Sequence, residues 1–179
     1  MHMIVLDKKR SVFSERMKYM YYIGIDLGTS AVKLLLMSGN GHIENIVSKD
    51  YPLYFPHPGW SEQNPEDWWT AVLAGLKELT EGFPADKVAG ISFGGQMHGL
   101  VVLDGEDQVI RPAILWNDGR TAKQTDYLNQ VIGKEKLFRI YREYSHLQAF
   151  TAPKLLLDEG RGAGEFSQKS RRSCCPRIT

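Results

Sequence analysis

The sequence predicts an α/β fold in which a mixed β-sheet carries helices on its faces. Three observations predict it. After about twenty residues the chain runs through three short apolar stretches separated by glycine turns. One later stretch repeats apolar residues at helical spacing, and the segments after it are first strand-rich and then helical. At 179 residues the chain has the length of one ordinary domain, able to bury roughly two-thirds of the surface its unfolded form exposes.

Residues 1–19 mix charged and apolar positions without a period and are read as an extension, with Met20 the natural start of the fold. Tyr21, Tyr22, Ile23 and Ile25 form a first strand leading to Asp26. Gly28-Thr29-Ser30 is a tight turn, and Val32 to Met37 a second strand. Gly39-Asn40-Gly41 turns the chain again, and Ile43 to Ser48 alternates as a third, antiparallel strand. Tyr51 to Gln63 holds three prolines and Gly59 and is predicted as an ordered loop. Asn64 then caps a helix with Pro65 at its first position, where a missing N–H costs nothing, and Glu66 and Asp67 complement the positive helix end. Its predicted stripe is Trp68, Trp69, Val72, Leu73, Leu76 and Leu79, stopped near Gly82 and Pro84. Val88 to Phe93 reads as a buried strand, and Leu100 to Leu103 and Val109 to Leu115 as strands turning at Asp104-Gly105. Thr121 to Val131 and Lys134 to Tyr144 read as helices, with another starting after Pro153. From Asp158 to Thr179 the chain becomes Gly-, Ser- and Arg-rich and is expected to stay out of any core.

Lys and Arg number 22 against 21 Asp and Glu, so no broad field points to nucleic acid or an anionic membrane, and a small molecule is the expected partner. No apolar run approaches the roughly 20 residues that span a bilayer, and the first twenty residues lack a signal-peptide core, which predicts a cytoplasmic protein. The only cysteines, Cys174 and Cys175, are adjacent and give neither a disulfide framework nor metal-site spacing.

Ile23-Gly24-Ile25-Asp26-Leu27-Gly28-Thr29-Ser30 is the strongest chemical signal. It sets a carboxylate at a strand end beside a glycine bend whose amides can form an anion-binding nest. Gly28, Thr29 and Ser30 are candidate phosphate contacts. Asp26, which would repel phosphate directly, is the candidate to hold Mg²⁺ through water. An ordinary hairpin with Asp26 capping its own turn is the alternative. This is no Walker loop, which needs G-x-x-x-x-G-K-[ST] leading into a helix. Gln96, Met97 and His98 lie between glycines after a strand, where polar side chains can meet a polyhydroxylated ligand. Trp116, Asp118 and Arg120 combine an indole for sugar C–H groups with hydroxyl-bonding side chains. A helix start with Asp118 as cap and Trp116 in the core is the bland alternative.

The bend resembles the first phosphate loop of the actin-like ATPase superfamily, whose ribonuclease H-like domains pair around an ATP cleft. Trp60-Ser61-Glu62-Gln63-Asn64-Pro65, Gln96-Met97-His98-Gly99, Trp116-Asn117-Asp118-Gly119-Arg120 and Phe150-Thr151-Ala152-Pro153-Lys154-Leu155-Leu156 follow it. In that order and spacing they are similar to the FGGY carbohydrate kinases, most of all to members that phosphorylate D-xylulose at its 5-hydroxyl. The resemblance covers Met20 to Leu157 and implies an incomplete N-terminal domain over residues 20–157. It also implies ATP and Mg²⁺ as cofactors, Asp26 near the metal, Met97 and His98 in the sugar site with Asp118 and Arg120 beside them, and scope for a homodimer of the full-length enzyme. The family's catalytic base is an Asp in a Gly-Gly-Asp-Asn type segment far downstream, and the 179 residues contain no such segment. The expectation is therefore a truncated, inactive chain whose residues 158–179 are disordered or foreign to the family, as a frameshift near Leu157 would produce. Another ATPase of the superfamily, or a sugar-binding fragment without catalysis, are the competing readings.

Overall fold

The computed structural model describes residues 19–141, 150–161 and 172–174. In chain order the elements are β1 (Tyr21–Leu27), β2 (Ala31–Ser38), β3 (Ile43–Asp50), β4 (Glu62–Gln63), α1 (Pro65–Leu79), a short 3-10 turn (Ala85–Lys87) and β5 (Val88–Gly95). They continue as β6 (Val101–Leu103), β7 (Ala113–Ile114), α2 (Ala122–Val131), α3 (Lys134–Tyr141), α4 (Thr151–Arg161) and β8 (Arg172–Cys174). The chain divides into two compact units, one of residues 1–51 with Trp68–Gly95, the other of Pro52–Asp67 with residues 96–179.

The first unit is a four-stranded sheet of order β3-β2-β1-β5. The meander β1-β2-β3 is antiparallel and β5 lies parallel to β1, so the sheet is mixed as expected. Strand alternation puts Ile23, Ile25, Val32, Leu34, Leu36 and Val47 in the core, and the register sets Ile25 opposite Leu34 and Leu34 opposite Val47 on one face. The second half of α1 covers that face. A Cβ built on Gly75 would stand 2.4 Å from Leu34 Cδ1, so glycine is what lets helix and sheet approach there.

Two expectations change in this unit. The buried arc of α1 is Trp68, Ala71, Val72, Gly75 and Leu79, leaving Trp69 and Leu73 exposed. The helix rests along its small residues Ala71 and Gly75, and at 100° per residue Trp69 and Leu73 fall on the far flank. β5 is not a buried strand. It is last in the sheet order, and Ile91 and Phe93 are 49% and 44% exposed.

The second unit contains two small ribbons, β4 with β7 and β6 with β8, and a core built on Leu100, Val101, Val102, Ala113, Ile114 and Leu115. Of the strand expected over Val109–Leu115 only Ala113–Ile114 pairs in a ribbon, with β4, which arises inside the segment expected to be loop. α4 begins at Thr151, so Pro153 sits in its first turn, where no intrahelical N–H is needed. The helix passes Leu157 and runs to Arg161. Buried Asp158 pairs with the guanidinium of Arg111, and Arg172–Cys174 lies beside β6. Part of the segment expected to stay out of the fold is therefore ordered against it. Most of the predicted extension, and the remainder of that C-terminal segment, lie outside the described residues. Among the described residues no helix is long and apolar enough to cross a membrane.

Candidate functional site

In the first unit, β1 ends by delivering Asp26 to the surface, opposite Lys33 on β2 and Gly94 on β5. A Cβ at Gly94 would lie 3.7 Å from Asp26 Oδ1, in ordinary van der Waals contact, so glycine leaves that space beside the carboxylate unfilled. Asp26, Lys33, Ser92 and Gly94 help to line a shallow concavity of about 310 Å³ on this face of the sheet. The bend that follows is drawn tight. Gly28 N–H donates to Ala31 O at 3.0 Å, and a Cβ on Gly28 would stand 2.9 Å from that same oxygen. The expected nest of three successive amides is thus reduced, since Gly28 serves the bend by its size and its N–H is spent within it. Thr29 and exposed Ser30 form the tip. Tyr51 locks the base of the loop: its hydroxyl donates to Gly28 O and its N–H to Ser30 O at 3.2 Å. The Tyr51 hydroxyl is pushed up to about 12, first by burial and then by the negative charge of Asp26, so it stays a neutral donor. Among the described residues no three His, Cys, Asp or Glu side chains gather to hold a metal. A lone carboxylate with open space beside it fits an ion that keeps its waters and shares phosphate oxygens, rather than a closed protein cage.

In the second unit, the loop after β5 carries Gln96, Met97 and His98. Gln96 Nε2 donates to Oε1 of fully buried Gln63 at 3.2 Å, and Gln63 Nε2 in turn donates to Pro52 O at 3.2 Å. Met97 is exposed. His98 takes a left-handed backbone, φ 66°, and its ring lies 4.3 Å from that of Phe150, tilted by 57°. Trp116 and Asn117 are exposed after β7, so the indole does not belong to the core.

Asp118 and Arg120 behave otherwise, and the expectation that they bond sugar hydroxyls is corrected. Asp118 is 2% exposed, and its carboxylate accepts from Ser61 N at 2.6 Å, Arg120 N at 2.9 Å, Arg120 Nε at 2.8 Å and Arg120 Nη2 at 2.6 Å. The Arg120 side chain, 4% exposed, also pairs with Glu62 at 2.7 Å and lies 3.6 Å over the Trp60 ring. Charges so fully matched act as a clamp joining the Trp60–Glu62 segment to the Trp116–Arg120 turn. Residues that the sequence reading passed over hold the site in place. They are Tyr51 under the phosphate bend, Gln63 behind Gln96, and Phe150, Thr151 and Lys154 behind His98 and Gly99. The segment Phe150-Thr151-Ala152-Pro153-Lys154-Leu155-Leu156 and the lysine inside its apolar run are the signals in the sequence for this last group.

Residues 21–157 match the N-terminal domain of the FGGY family of carbohydrate kinases. The xylulose kinase of Bacillus subtilis (strain 168) is 48% identical over 138 residues, which is 76% of this chain and 27% of that protein. Among solved structures, the gluconate kinase from Lactobacillus acidophilus is 28% identical with a TM-score of 0.78, covering 87% of this chain and 31% of that one. The xylulose kinase from Rhodospirillum rubrum is 26% identical with a TM-score of 0.77, covering 87% and 32%. The chain spans less than a third of the length of these relatives.

Proposed function

The chain belongs to the FGGY family of carbohydrate kinases, and from that premise we propose that it forms the N-terminal part of an enzyme moving a phosphoryl group from ATP to a sugar hydroxyl, with D-xylulose the first candidate. The observation that carries this reading is the end of β1, where an exposed carboxylate faces Lys33 across the register and glycine leaves room beside it. Phosphoryl transfer asks mainly for positioning and charge stabilisation. When bound, Mg²⁺-ATP supplies the transferable phosphoryl group. Asp26 would hold the ion through its waters, Thr29 and Ser30 would meet phosphate oxygens, and Lys33 would offset their charge. On the sugar side, Met97, His98 and the exposed Trp116 are the contacts, with Gln96 held ready by Gln63. Asp118 and Arg120 support the turn that carries Trp116 from within.

A second reading, D-gluconate as the acceptor, is favoured by the likeness to the gluconate kinase from Lactobacillus acidophilus. Calorimetric titration of the 179-residue chain with D-xylulose, D-gluconate and glycerol separates the two, and a coupled ATP assay runs beside it. Tighter binding of D-xylulose is expected. Turnover is expected to stay at background, because the residues present include no Gly-Gly-Asp-Asn segment and a general base is typically worth 10²–10⁴ in rate. A preference for gluconate moves the assignment to that sugar, and absence of binding to any of them removes the sugar-site reading.

A further inference from the structure

Lys154, on the first turn of α4, is 0% exposed. Taking an ammonium out of water costs several kcal/mol unless hydrogen bonds replace its hydration. Its Nζ donates to His98 O at 2.9 Å and to Phe150 O at 3.3 Å. The first of these bonds reaches 56 residues back along the chain to a residue in a strained conformation. Among the described residues only His98 and Asp107 are non-glycine residues at positive φ. For an L-residue that region is strained and persists only where surroundings over-determine it. One short segment supplies several of those surroundings. Thr151 Oγ1 donates to Gly99 O at 3.3 Å, and the Phe150 ring backs the His98 imidazole. Phe150, Thr151 and Lys154 thus grip two successive residues of the loop, and the charged donor takes the carbonyl of the strained one.

We propose that Lys154 is a positioning residue for polyol recognition: its buried ammonium fixes the left-handed backbone of His98 and so aims Met97 and the His98 imidazole at the sugar. This rests on the reading that Met97 and His98 meet the sugar. No direct ligand contact is assigned to Lys154.

The test uses the 179-residue chain with labelled methionine methyls and histidine imidazoles, observed by NMR without and with D-xylulose. Lys154→Met keeps the aliphatic stem and removes the charge. It is expected to displace the Met97 methyl and His98 imidazole resonances before any sugar is added and to weaken D-xylulose binding about tenfold or more. Lys154→Arg should restore part of both. A folded Lys154→Met chain with unmoved His98 and Met97 resonances overturns the proposal, whatever the sugar does. Should wild type fail to bind D-xylulose, the sugar-site reading falls, and the sugar-free spectra still decide the role of Lys154. If Lys154→Met does not fold, the double variant with His98→Gly, which removes the cost of the left-handed backbone, is read instead. Recovery of the fold supports the proposal, and continued failure to fold overturns it.

Discussion

Arg120 meets Asp118 through two side-by-side hydrogen bonds, Nε to Oδ1 at 2.8 Å and Nη2 to Oδ2 at 2.6 Å, with the two side chains only 4% and 0% exposed. Removing one partner strands the other. Arg120→Met should therefore destabilise the second unit by about 3–5 kcal/mol, whereas an exposed pair such as Lys49–Glu78 should contribute no more than about 1 kcal/mol. Urea unfolding of Arg120→Met and Glu78→Gln measures both, and comparable losses would contradict the clamp.

At the phosphate bend the expected change is one of shape. Gly28→Ala places a Cβ 2.9 Å from the carbonyl oxygen of Ala31, a backbone atom that cannot swing aside. The bend must open, at a cost of about 1–3 kcal/mol. If the Asp26 bend holds nucleotide phosphate, ATP binding weakens with it, which a fluorescent nucleotide titration reads directly.

Tyr51 gives a dependence on alkaline pH. Its folded value, about 12, lies above the ordinary 10.0, so the fold favours the protonated phenol. Its contribution to stability is complete below about pH 10 and is lost as pH rises towards 12. Tyr51 and Tyr54 are both held above the ordinary range, and the late phenolate absorbance that vanishes in Tyr51→Phe should be the one that follows Tyr51. Asp26→Asn should bring that titration down only part of the way, because burial is the larger cause and the Asp26 charge the smaller.

The two neighbouring tryptophans of α1 should respond unequally. Trp68 is buried and Trp69 exposed, so Trp68→Ala should cost about 3–5 kcal/mol and Trp69→Ala less than about 1 kcal/mol. Equal losses in thermal or urea unfolding would mean that α1 lies on the sheet along a different line.

Much of the first unit, and the start of α1, is legible in the residues. Alternation in β1 and β2, the glycine at position 28, and Asn64 before Pro65 each impose a local geometry that needs no distant partner. The exposure of β5 is not legible, since a short apolar run reads alike in a central and an edge strand, and only the pairing order decides. Asp118 and Arg120 misled for a related reason. The groups that bond sugar hydroxyls are the same groups that form a buried ion pair, and the deciding partner, Ser61, lies 57 positions away. Lys154 is hidden in another way, because a lysine on an amphipathic helix normally turns to solvent, and here its acceptor comes from a loop far back in the chain.

The position of β5 at the rim of the four-stranded sheet has a practical outcome for the 179 residues as a molecule. Ile91 and Phe93 stand half-open on a strand whose outer side can template another strand, the arrangement that drives self-association in concentrated solution. Light scattering should therefore grow with protein concentration, and a lysine introduced at Ile91 should suppress it.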